Sequence, residues 1–515
     1  MYVADAAGAR AADAAAIAAG IPARALMQRA GAGAAAEIAR RFSDELGHGI
    51  LVATGAGNNG GDGWVVASAL HAAGIAVRVA ECLPAATPDA RAEREAAIAA
   101  GVATDAARDA LSSGPERIAV DAILGTGLRP NTPLEGDVAR AVAALATRQR
   151  QGTRIVALDV PSGMNADDGR DVGGLRCALT LAFGTLKRCH VVSRAGCGEI
   201  VLLDIGLGPH AAAAHGATLA TPGWFRASLP AIAADAHKGT RKKVAIVGGA
   251  EGMAGAVILA ARAALRSGAG LVKCVVAPES LRAVQEAEPA ALAAAWPADD
   301  AALERDVAGW ADAILVGPGL GRANARALVE RILRGTRSPI VLDADALNAF
   351  AGDAPALAPS LRERQALLTP HPAEFARLAG LGVDAVLERR FSLPAQLAAD
   401  VAAAVLLKGV PTIVSSRSGD SIVVAEGTPV LATGGAGDLL GGIAVTLLAQ
   451  TNDAALAGAL AAYAHGKAAW LVSARDVRGY TLDDVLLALP VVWSLRAPAP
   501  RPPVLAELPA VGEPA

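Results

Sequence analysis

The sequence alternates twice between short, continuous apolar runs and Ala-rich segments that have the composition of helices. Up to about residue 208, the apolar runs are GILVAT, AVRVAE, RIAVDAIL, RIVALDV, LTLAF and EIVLLDIG. They are rich in Val, Ile and Leu and lack polar alternation, which is typical of strands buried on both faces of a parallel sheet. The pattern therefore predicts an α/β fold whose ligands bind at the carboxyl ends of the strands.

A second alternation follows an irregular segment at residues 207–242 and runs from KVAIVGG to TIVSS. A chain of 515 residues also exceeds what one hydrophobic core usually organises. We therefore predict two α/β domains, residues 1–215 and residues 225–495. Residues 496–515 are rich in Pro and Ala and predict a disordered or extended tail without a chemical role.

The composition excludes several classes of function. The net charge is −3 and no basic run is interleaved with aromatic residues, so we expect no nucleic-acid partner. Gly or a charged residue interrupts each apolar run, and the amino terminus lacks the basic and apolar segments of a secretory signal. The five cysteines are scattered without CxxC spacing, which argues against zinc. We expect a cytoplasmic protein that does not bind a membrane.

The loop after the first predicted strand, GAGNNGGDG, has Gly55, Gly57 and Gly60 in the spacing G-x-G-x-x-G. Glu81 ends the next apolar run about 20 residues later, where a dinucleotide-binding fold has its ribose-binding acid. Taken alone, this motif predicts an NAD-dependent dehydrogenase. However, Asp62 lies in the same loop, and a carboxylate there opposes the binding of a pyrophosphate at the helix N-terminus.

Polar residues follow several predicted strands of the first domain. They are Asn58, Asn59 and Asp62 after the first strand, Asp121 in VDAILGTG, and Asp159 and Ser162 in LDVPSG. Each one alone is explained as a helix cap or a turn residue. Together they converge on one crevice, where carboxylates need a cation, a ligand donor or a raised pKa. Oxygen ligands of this kind favour a hard cation over zinc.

The motifs GAGNNGGDG, VDAILGTG and DVPSGMNADDG, with GIPARALMQRAG near the amino terminus, resemble the NAD(P)H-hydrate epimerase domain over roughly residues 1–210. The resemblance implies a Rossmann-like three-layer α/β/α sandwich that binds hydrated NAD(P)H and a potassium ion, with Asp159 as the acid–base residue. The implied potassium ligands are Asn59, Asp121 and Ser162. The implied substrate-binding residues are Asn58, Asn59, Gly60, Gly61, Asp62, Gly125, Thr126, Gly127, Leu128, Arg129, Pro130, Asn131 and Asp159. Lys187 in TLKRCH matches a family lysine whose role stays open.

A second glycine-rich loop, LATGGAGDLLGG, opens directly into an apolar helix in the second domain. The backbone N–H groups of Gly434, Gly435 and Gly437 at such a turn form an anion-binding nest. Asp438 stands at the start of the helix, where it either caps the helix or accepts a proton from a bound ligand.

This loop resembles the ribokinase-like superfamily. Together with GPGLG, TPHPAEF, LLKG, HKGTRKKVAIVGG and AALRSGAGLV, it resembles the ADP/ATP-dependent NAD(P)H-hydrate dehydratase over roughly residues 225–495. The resemblance implies a ribokinase-like α/β domain with Asp438 as catalytic base, an adenine nucleotide as co-substrate and a magnesium ion on its phosphates. The implied hydrate-binding residues are Ala256, Gly319, His371 and Asp438, and the implied nucleotide-binding residues are Lys408, Gly409, Val410, Pro411, Thr412 and Gly437. Without the motif, His371 is equally well explained as a core or turn histidine.

The two resemblances together imply a bifunctional enzyme that repairs nicotinamide nucleotides. The first domain would interconvert the R and S forms of hydrated NAD(P)H through a carboxyl group that first gives and then takes a proton. The second would dehydrate the S form, because phosphorylation by ADP or ATP turns the ring hydroxyl into a good leaving group.

Two other functions remain open from the residues. A ribokinase-type small-molecule kinase with an amino-terminal nucleotide-binding module would accumulate a phosphorylated product instead of releasing phosphate. An NAD-dependent dehydrogenase would leave the second glycine loop unexplained. The choice between ADP and ATP stays open, and we expect a homo-oligomer.

Overall fold

The structure is a computed structural model that describes residues 1–129, 132–323, 325–473 and 477–511. The chain divides into two units. Residues Met1–Thr218 and the segment that begins at Ala499 form unit 1, and Leu219–Pro498 form unit 2. Each unit has a sheet of mainly parallel strands, so the predicted α/β fold class is confirmed.

Unit 1 alternates strands and helices along the chain. Its strands are β1 (Tyr2–Ala4), β2 (Ile50–Thr54), β3 (Val77–Glu81), β4 (Ala103–Ala106), β5 (Ile118–Ala122), β6 (Arg154–Leu158), β7 (Leu179–Phe183), β8 (Leu186–Lys187), β9 (Glu199–Leu203) and β10 (Ala217–Leu219), which ends at the unit boundary. Its helices are α1 (Ala6–Ala18), α2 (Ala23–Arg41), α3 (Asn58–Ala72), α4 (Pro88–Ala99), α5 (Ala107–Ser112), α6 (Gly136–Arg150), α7 (Arg188–Val192) and α8 (Arg194–Cys197).

The sheet of unit 1 has the strand order β9-β7-β6-β5-β2-β3-β4, with neighbouring strands parallel. Strand β3 lies beside β2 on one side, and β5, which follows β4 in the chain, lies beside β2 on the opposite side. This order places a topological switch point between β2 and β5, where doubly wound sheets bind ligands. Successive residues of β2 alternate between two apolar layers, Ile50 and Val52 on one face and Leu51 and Ala53 on the other. Unit 1 is therefore a three-layer α/β/α sandwich.

Unit 2 repeats this alternation over a longer segment. Its strands are β11 (Lys243–Val247), β12 (Leu271–Val276), β13 (Leu292–Ala295), β14 (Ala313–Val316), β15 (Ile340–Leu342), β16 (Ala366–Leu368), β17 (Ala404–Leu407), β18 (Thr412–Ser415) and β19 (Ser421–Val424). Its helices are α9 (Pro222–Ser228), α10 (Ala254–Arg266), α11 (Leu281–Ala287), α12 (Asp300–Leu303), α13 (Ala325–Gly335), α14 (Asp345–Asn348), α15 (Ala358–Leu361), α16 (Pro372–Ala379), α17 (Val383–Glu388), α18 (Leu393–Val401), α19 (Ala436–Thr451), α20 (Ala454–Val472) and α21 (Leu482–Ser494).

The strand order in unit 2 is β13-β12-β11-β14-β15-β16-β17-β18-β19. Strands β13 to β17 in this order are parallel, and β18 and β19 are antiparallel to their neighbours. The switch point lies between β11 and β14. One face of the sheet packs on the apolar helices α10, α19, α20 and α21, and the other packs on α13, α16 and α18. The carboxyl ends of β11 and β14 therefore define the ligand edge of unit 2.

The end of the described chain differs from the tail expected for residues 496–515. Strand β20 (Val504–Leu508) pairs antiparallel with β9 and extends the unit 1 sheet. Leu508 is buried, and Arg501 forms ion pairs with Glu37 of α2 and Glu507 of β20. The sequence VLAEL has the alternation of a half-buried edge strand, which the surrounding prolines concealed.

In the part of the chain that the structure describes, no helix is both long enough and apolar enough to cross a membrane.

Candidate active sites

The β2–α3 loop of unit 1 lies backbone to backbone against the end of β5. A Cβ atom on Gly55 would lie 1.9 Å from the carbonyl oxygen of Ile123, and one on Gly60 would lie 2.0 Å from that of Gly55. A Cβ atom on Gly61 would instead meet a side chain, at 2.6 Å from Met27 Sδ of α2. Gly55 and Gly60 are therefore required by packing at the switch point, and the loop presents the first turn of α3 at the ligand edge.

The three residues predicted to bind potassium meet beside Leu124. Asn59 Nδ2 donates to the Leu124 carbonyl at 2.8 Å, and Ser162 Oγ accepts from the Leu124 N–H at 2.8 Å. Ser162 also donates from Oγ to Asp121 Oδ1 at 2.5 Å and from its backbone N–H to Asp121 Oδ2 at 2.7 Å. One hydrogen-bonded cluster thus joins the ends of β5 and β6 to the start of α3, and its side chains carry oxygen atoms that can bind a cation.

Two features of this cluster are those of a cation site. Asn59 Oδ1 is buried without a hydrogen-bond partner among the described residues, although a buried amide oxygen normally has one. Asp121 is fully buried, and this burial raises the pKa of its carboxyl to about 6 despite the hydrogen bonds from Ser162 and Ile123 that oppose the shift. A cation bound here would satisfy Asn59 Oδ1 and favour the ionised form of Asp121.

Asp159, the predicted acid–base residue, is held from several directions. It is the central residue of a γ-turn, with φ of 60° and a hydrogen bond from the Val160 N–H to the Leu158 carbonyl at 2.8 Å. Such a conformation costs on the order of 1–3 kcal/mol for a residue other than glycine. Lys187 Nζ lies 2.5 Å from Asp159 Oδ1. The strained turn places this carboxyl at the ligand edge, just after β6.

His190 fixes the backbone of the same turn. Its Nδ1 accepts a hydrogen bond from the Lys187 N–H at 3.0 Å, so the ring proton is on Nε2, which donates a hydrogen bond to the Asp159 carbonyl at 2.6 Å. Burial lowers the pKa of His190 to about 4, so the ring is neutral near pH 7. Lys187 also donates to the carbonyls of Phe183 at 3.0 Å and Thr185 at 3.1 Å. His190 and Lys187 therefore position Asp159.

The charges of Asp159 and Lys187 also act on two more carboxyl groups, those of Asp62 and Asp13. Burial first, and then the charge of Asp159, raise the pKa of Asp62 well above its ordinary value. Burial also raises the pKa of Asp13 on α1, and the nearby charges of Lys187 and Asp159 act on it in opposite directions. Asp13 was not among the predicted site residues. Its only sequence signal is a carboxylate within an Ala-rich helix.

The β5–α6 loop supplies the remaining predicted substrate residues. Gly125 lies next to Asn59, and the Leu128 carbonyl accepts a hydrogen bond from Asn165 Nδ2 at 2.9 Å. The Arg129 side chain is exposed. Pro130 and Asn131 lie outside the described residues. The described part of the loop, which includes Thr126 and Gly127, runs from the half-buried Leu124 to the exposed Arg129.

In unit 2, the GPGLG loop after β14 meets the start of α10. A Cβ atom on Gly319 would lie 3.2 Å from that of Ala256 and 2.7 Å from the Met253 carbonyl oxygen. The Gly321 N–H donates to Asp345 Oδ2 at 2.9 Å. The structure thus brings the predicted hydrate-binding residues Ala256 and Gly319 together, and it connects their loop to α14.

The glycine nest forms the start of α19. Gly435 has a φ of 92°, which glycine adopts readily, and Asp438 lies in the first turn. Burial, followed by the negative charge of Asp343, raises the pKa of Asp438 to about 7, although Lys408 opposes the shift. Asp438 is therefore poised to exchange a proton near neutral pH.

Lys408 follows β17 and lies beside the nest. Its Nζ is 2.7 Å from Asp343 Oδ1 and 3.8 Å from Glu374 Oε2. A Cβ atom on Gly437 would lie 3.3 Å from this Nζ. Next to Lys408, Gly409 accepts a hydrogen bond from Thr412 Oγ1 at 2.9 Å. Between them, the Val410 side chain is exposed and Pro411 is buried.

His371 is the N-cap of α16. Its Nδ1 accepts from the N–H groups of Ala373 at 3.2 Å and Glu374 at 3.4 Å, while Glu374 Oε2 accepts from the His371 N–H at 2.9 Å. This reciprocal cap gives His371 a structural role. Nε2 of the ring is 3.5 Å from Glu374 Oε1. Because the His371 side chain is 47% exposed, part of the ring remains accessible to a ligand. Glu374 and Asp343, both buried, were not among the predicted site residues.

Two protein families match successive parts of the chain. Residues 23–189 match the family described as YjeF-related protein N-terminus, and residues 244–490 match NAD(P)H-hydrate dehydratase. The bifunctional NAD(P)H-hydrate repair enzyme Nnr of Salinibacter ruber is 36% identical and covers 93% of each chain. The chain belongs to the bifunctional NAD(P)H-hydrate repair enzymes.

Other bifunctional NAD(P)H-hydrate repair enzymes are similarly related. That of Moorella thermoacetica is 35% identical over 92% of each chain, and that of Escherichia coli is 33% identical over 90% of this chain and 88% of its own. The solved ADP/ATP-dependent NAD(P)H-hydrate dehydratase from Bacillus subtilis, co-crystallised with ATP and Mg²⁺, is 27% identical, covers 54% of this chain and 98% of its own, and has a TM-score of 0.47. The family predicted from the motifs is confirmed, and the matches favour the repair enzyme over the kinase.

Proposed function

We propose that this chain repairs hydrated NAD(P)H in two steps. Unit 1 interconverts the R and S hydrates, and unit 2 dehydrates the S hydrate to NAD(P)H with an adenine nucleotide. The names of relatives that align over nine-tenths of the chain support this pairing of activities. The observation that carries the proposal is that each unit has a carboxyl group at its switch-point edge, Asp159 in one and Asp438 in the other.

In unit 1, the substrate would lie between the start of α3 and the loop that begins at Gly125. Asp159 gives a proton to the ring hydroxyl, which leaves as water with the help of the ring nitrogen lone pair. Water then adds to the other face of the ring and returns a proton to the carboxylate, so the reaction consumes nothing. Lys187 Nζ, at 2.5 Å from Asp159 Oδ1, and the Phe183 N–H, at 3.2 Å from the same oxygen, hold the carboxyl group in place.

The donor set beside Leu124 suits potassium. Asn59 Oδ1 lacks a protein partner among the described residues, and the neighbouring donors are the oxygens of Ser162 and Asp121. Such a set, with one carboxylate, matches a monovalent ion better than a tightly chelated divalent one. The bound ion would supply positive charge next to the substrate phosphates.

In unit 2, the nest at Gly434, Gly435 and Gly437 and the ammonium of Lys408 would bind the nucleotide phosphates, with residues 409–412 beside them. The hydrate would lie against Ala256, Gly319 and His371. Asp438 takes the proton of the ring hydroxyl, whose oxygen attacks the terminal phosphoryl group. The phosphate then leaves the ring with the electron pair of the carbon–oxygen bond, helped by the ring nitrogen lone pair, and a ring proton passes to water, which restores NAD(P)H.

Magnesium would be held mainly by the nucleotide. Across residues 1–129, 132–323, 325–473 and 477–511, no group of three or more His, Cys, Asp or Glu side chains converges to hold a metal ion. Mg²⁺ commonly binds through substrate phosphates and water with few protein ligands. Bound there, the ion would neutralise charge that develops on the transferring phosphoryl group.

The test is a coupled assay with a mixture of R and S NADH hydrates. Wild-type chain with ADP, and separately with ATP, should restore the dihydronicotinamide absorbance of the whole mixture and release one phosphate per NADH formed. Accumulation of a stable phosphorylated hydrate would instead indicate a kinase. Recovery of the S fraction alone would show that unit 1 is not an epimerase. The cytoplasmic location and the homo-oligomer stay predictions.

A further inference from the structure

Asp343, which no sequence motif assigned, lies between β15 and the first turn of α19. Its side chain is 2% exposed, and Oδ1 accepts the hydrogen bond from Lys408 Nζ at 2.7 Å. A Cβ atom on Gly437 or Gly441 would lie 3.8 Å from Asp343 Oδ2. The carboxylate therefore faces the glycine-rich side of α19 with one oxygen and accepts the Lys408 hydrogen bond with the other.

The backbone of Asp343 is fixed on both sides. Its N–H donates to the Val316 carbonyl at 3.0 Å, and a Cβ atom on Gly317 would lie 1.8 Å from its carbonyl oxygen. Its carbonyl also accepts from the Ala346 N–H at 3.0 Å, which closes a turn whose next residue, Ala344, has φ of 49° and ψ of −120°. Glycine normally takes this position, so the turn stores strain of order 1–3 kcal/mol.

Lys408, in contrast, reaches the site on a flexible side chain. Four rotatable bonds separate its ammonium from the backbone, and fixing them costs up to about 2 kcal/mol of side-chain entropy. Glu374, the other nearby carboxylate, is at 3.8 Å, beyond hydrogen-bonding distance. Of these two carboxylates, Asp343 is the one that determines where the ammonium lies.

We propose that Asp343 is a positioning residue of unit 2, which holds the Lys408 ammonium beside the glycine nest where the nucleotide phosphates bind. This inference rests on the proposed function of unit 2. Asp343 itself would repel phosphate, so its contribution passes through Lys408. The strained turn keeps the Asp343 carboxylate in one place, and the hydrogen bond to this carboxylate restricts the otherwise flexible Lys408 side chain.

The experiment compares three full-length variants, Asp343→Asn, Lys408→Met and the double variant. Both single variants should raise the KM for ADP and the calorimetric Kd of Mg-ADP by about tenfold or more, as expected when a charge-assisted contact is lost. The double variant should bind ADP no more weakly than Lys408→Met, because without Lys408 the Asp343 carboxylate has no ammonium to hold and only repels the phosphates. Asp353→Asn is the matched control, since it removes an exposed carboxylate from the Arg326 ion pair of the same unit.

An unchanged KM and Kd in Asp343→Asn, or additive losses in the double variant, would overturn the proposal. Retained epimerase activity checks that unit 1 is intact. If Asp343→Asn does not fold, Lys408→Met decides alone, and a normal nucleotide affinity in that variant rejects the assignment. Calorimetry of ADP needs no turnover, so wild-type chain that binds ADP without dehydrating the hydrate would contradict the proposed function while leaving this inference testable.

Discussion

The ammonium of Lys187, in β8, lies 2.5 Å from the carboxylate of Asp159, in the turn after β6. The same ammonium donates to the carbonyls of Phe183 and Thr185, and His190 donates a hydrogen bond to the Asp159 carbonyl. Lys187 is itself buried. The pair therefore has a fixed geometry at the ligand edge of unit 1.

Replacing Asp159 with Ala should slow epimerisation by about 10²–10⁴-fold, because the acid–base group is removed. Dehydration in unit 2 should continue. With mixed R and S hydrates, the variant should consume the S fraction rapidly and then proceed only as fast as spontaneous epimerisation supplies it, whereas wild type should follow a single phase. The absorbance of NADH measures both phases.

Asp168→Ala is the matched control for this measurement, since Asp168 is an exposed carboxylate of the neighbouring loop. It should behave as wild type. Equal single-phase traces for Asp159→Ala and wild type, at enzyme levels where epimerisation limits the rate, would remove Asp159 from the catalytic role.

Asp438→Asn should lower the rate of dehydration by about 10²-fold or more and leave the rate of epimerisation unchanged. The variant should also be more stable at pH 8 than wild type. The folded-state pKa of Asp438, about 7, is above the ordinary value of 3.8, so wild type loses stability as pH rises through this range and the uncharged Asn does not. Thermal unfolding should show a larger difference between variant and wild type at pH 8 than at pH 5, because the loss begins above the ordinary pKa of 3.8 and is complete only above about pH 7. Loss of both activities would indicate misfolding instead.

Dehydration should depend on pH with an acid limb near pH 7, since the base must be ionised to accept a proton. The rate should rise about tenfold per pH unit below this value and level off above it. A profile that stays flat from pH 5.5 to 8 would show that Asp438 is not the titrating base.

Potassium should stabilise unit 1. Binding to the folded state alone raises stability with ion concentration, so the unfolding temperature of unit 1 should rise in KCl relative to LiCl at equal ionic strength. Asn59→Ala removes the unpartnered amide oxygen and should weaken this response. Equal behaviour of wild type in the two salts would reject the ion site.

Removal of residues 499–515 should lower the unfolding temperature of unit 1 by about 5 °C or more, because it exposes the β9 edge and the surface that Leu508 buries. It also removes Arg501. Burial opposes the ionisation of Glu37, but hydrogen bonds from Arg501, Arg40 and Arg41 lower its pKa to about 2, so these contacts are fully present at neutral pH. Dehydration should persist.

Arg501→Ala tests the ion pairs without removing the strand, and Arg496→Ala, an exposed arginine of unit 2, is its control. A truncated chain whose unit 1 unfolds at the wild-type temperature would show that β20 contributes nothing to stability.

The sequence was most informative where local pattern and structure coincide. Val-, Ile- and Leu-rich runs predicted the central strands of both sheets, because strands covered on both faces must be continuously apolar. The glycine spacing at Gly55 and Gly435 located both ligand edges, since close backbone approach and positive φ leave few alternatives to glycine. The two switch points then follow from strand order, which alternation alone does not determine.

The site residues that the sequence did not predict contribute through contacts with residues far from them in the chain. Asp13 comes from an Ala-rich helix far from the other site residues in sequence, and Asp343 sits in a segment that was interpreted only as a strand. His190 acts through a backbone carbonyl, a role that any histidine near a turn could share. Such roles depend on tertiary placement, and no local spacing encodes them.

Because unit 1 is completed by residues that follow unit 2 in the chain, the order of synthesis separates its folding into two stages. A ribosome that makes the chain from the amino terminus releases β9 long before β20 exists. During that interval the edge of β9 is open and can pair with a neighbouring nascent chain. The β9 edge can close only after β20 has been synthesised, and this strand follows the whole of unit 2 in the chain.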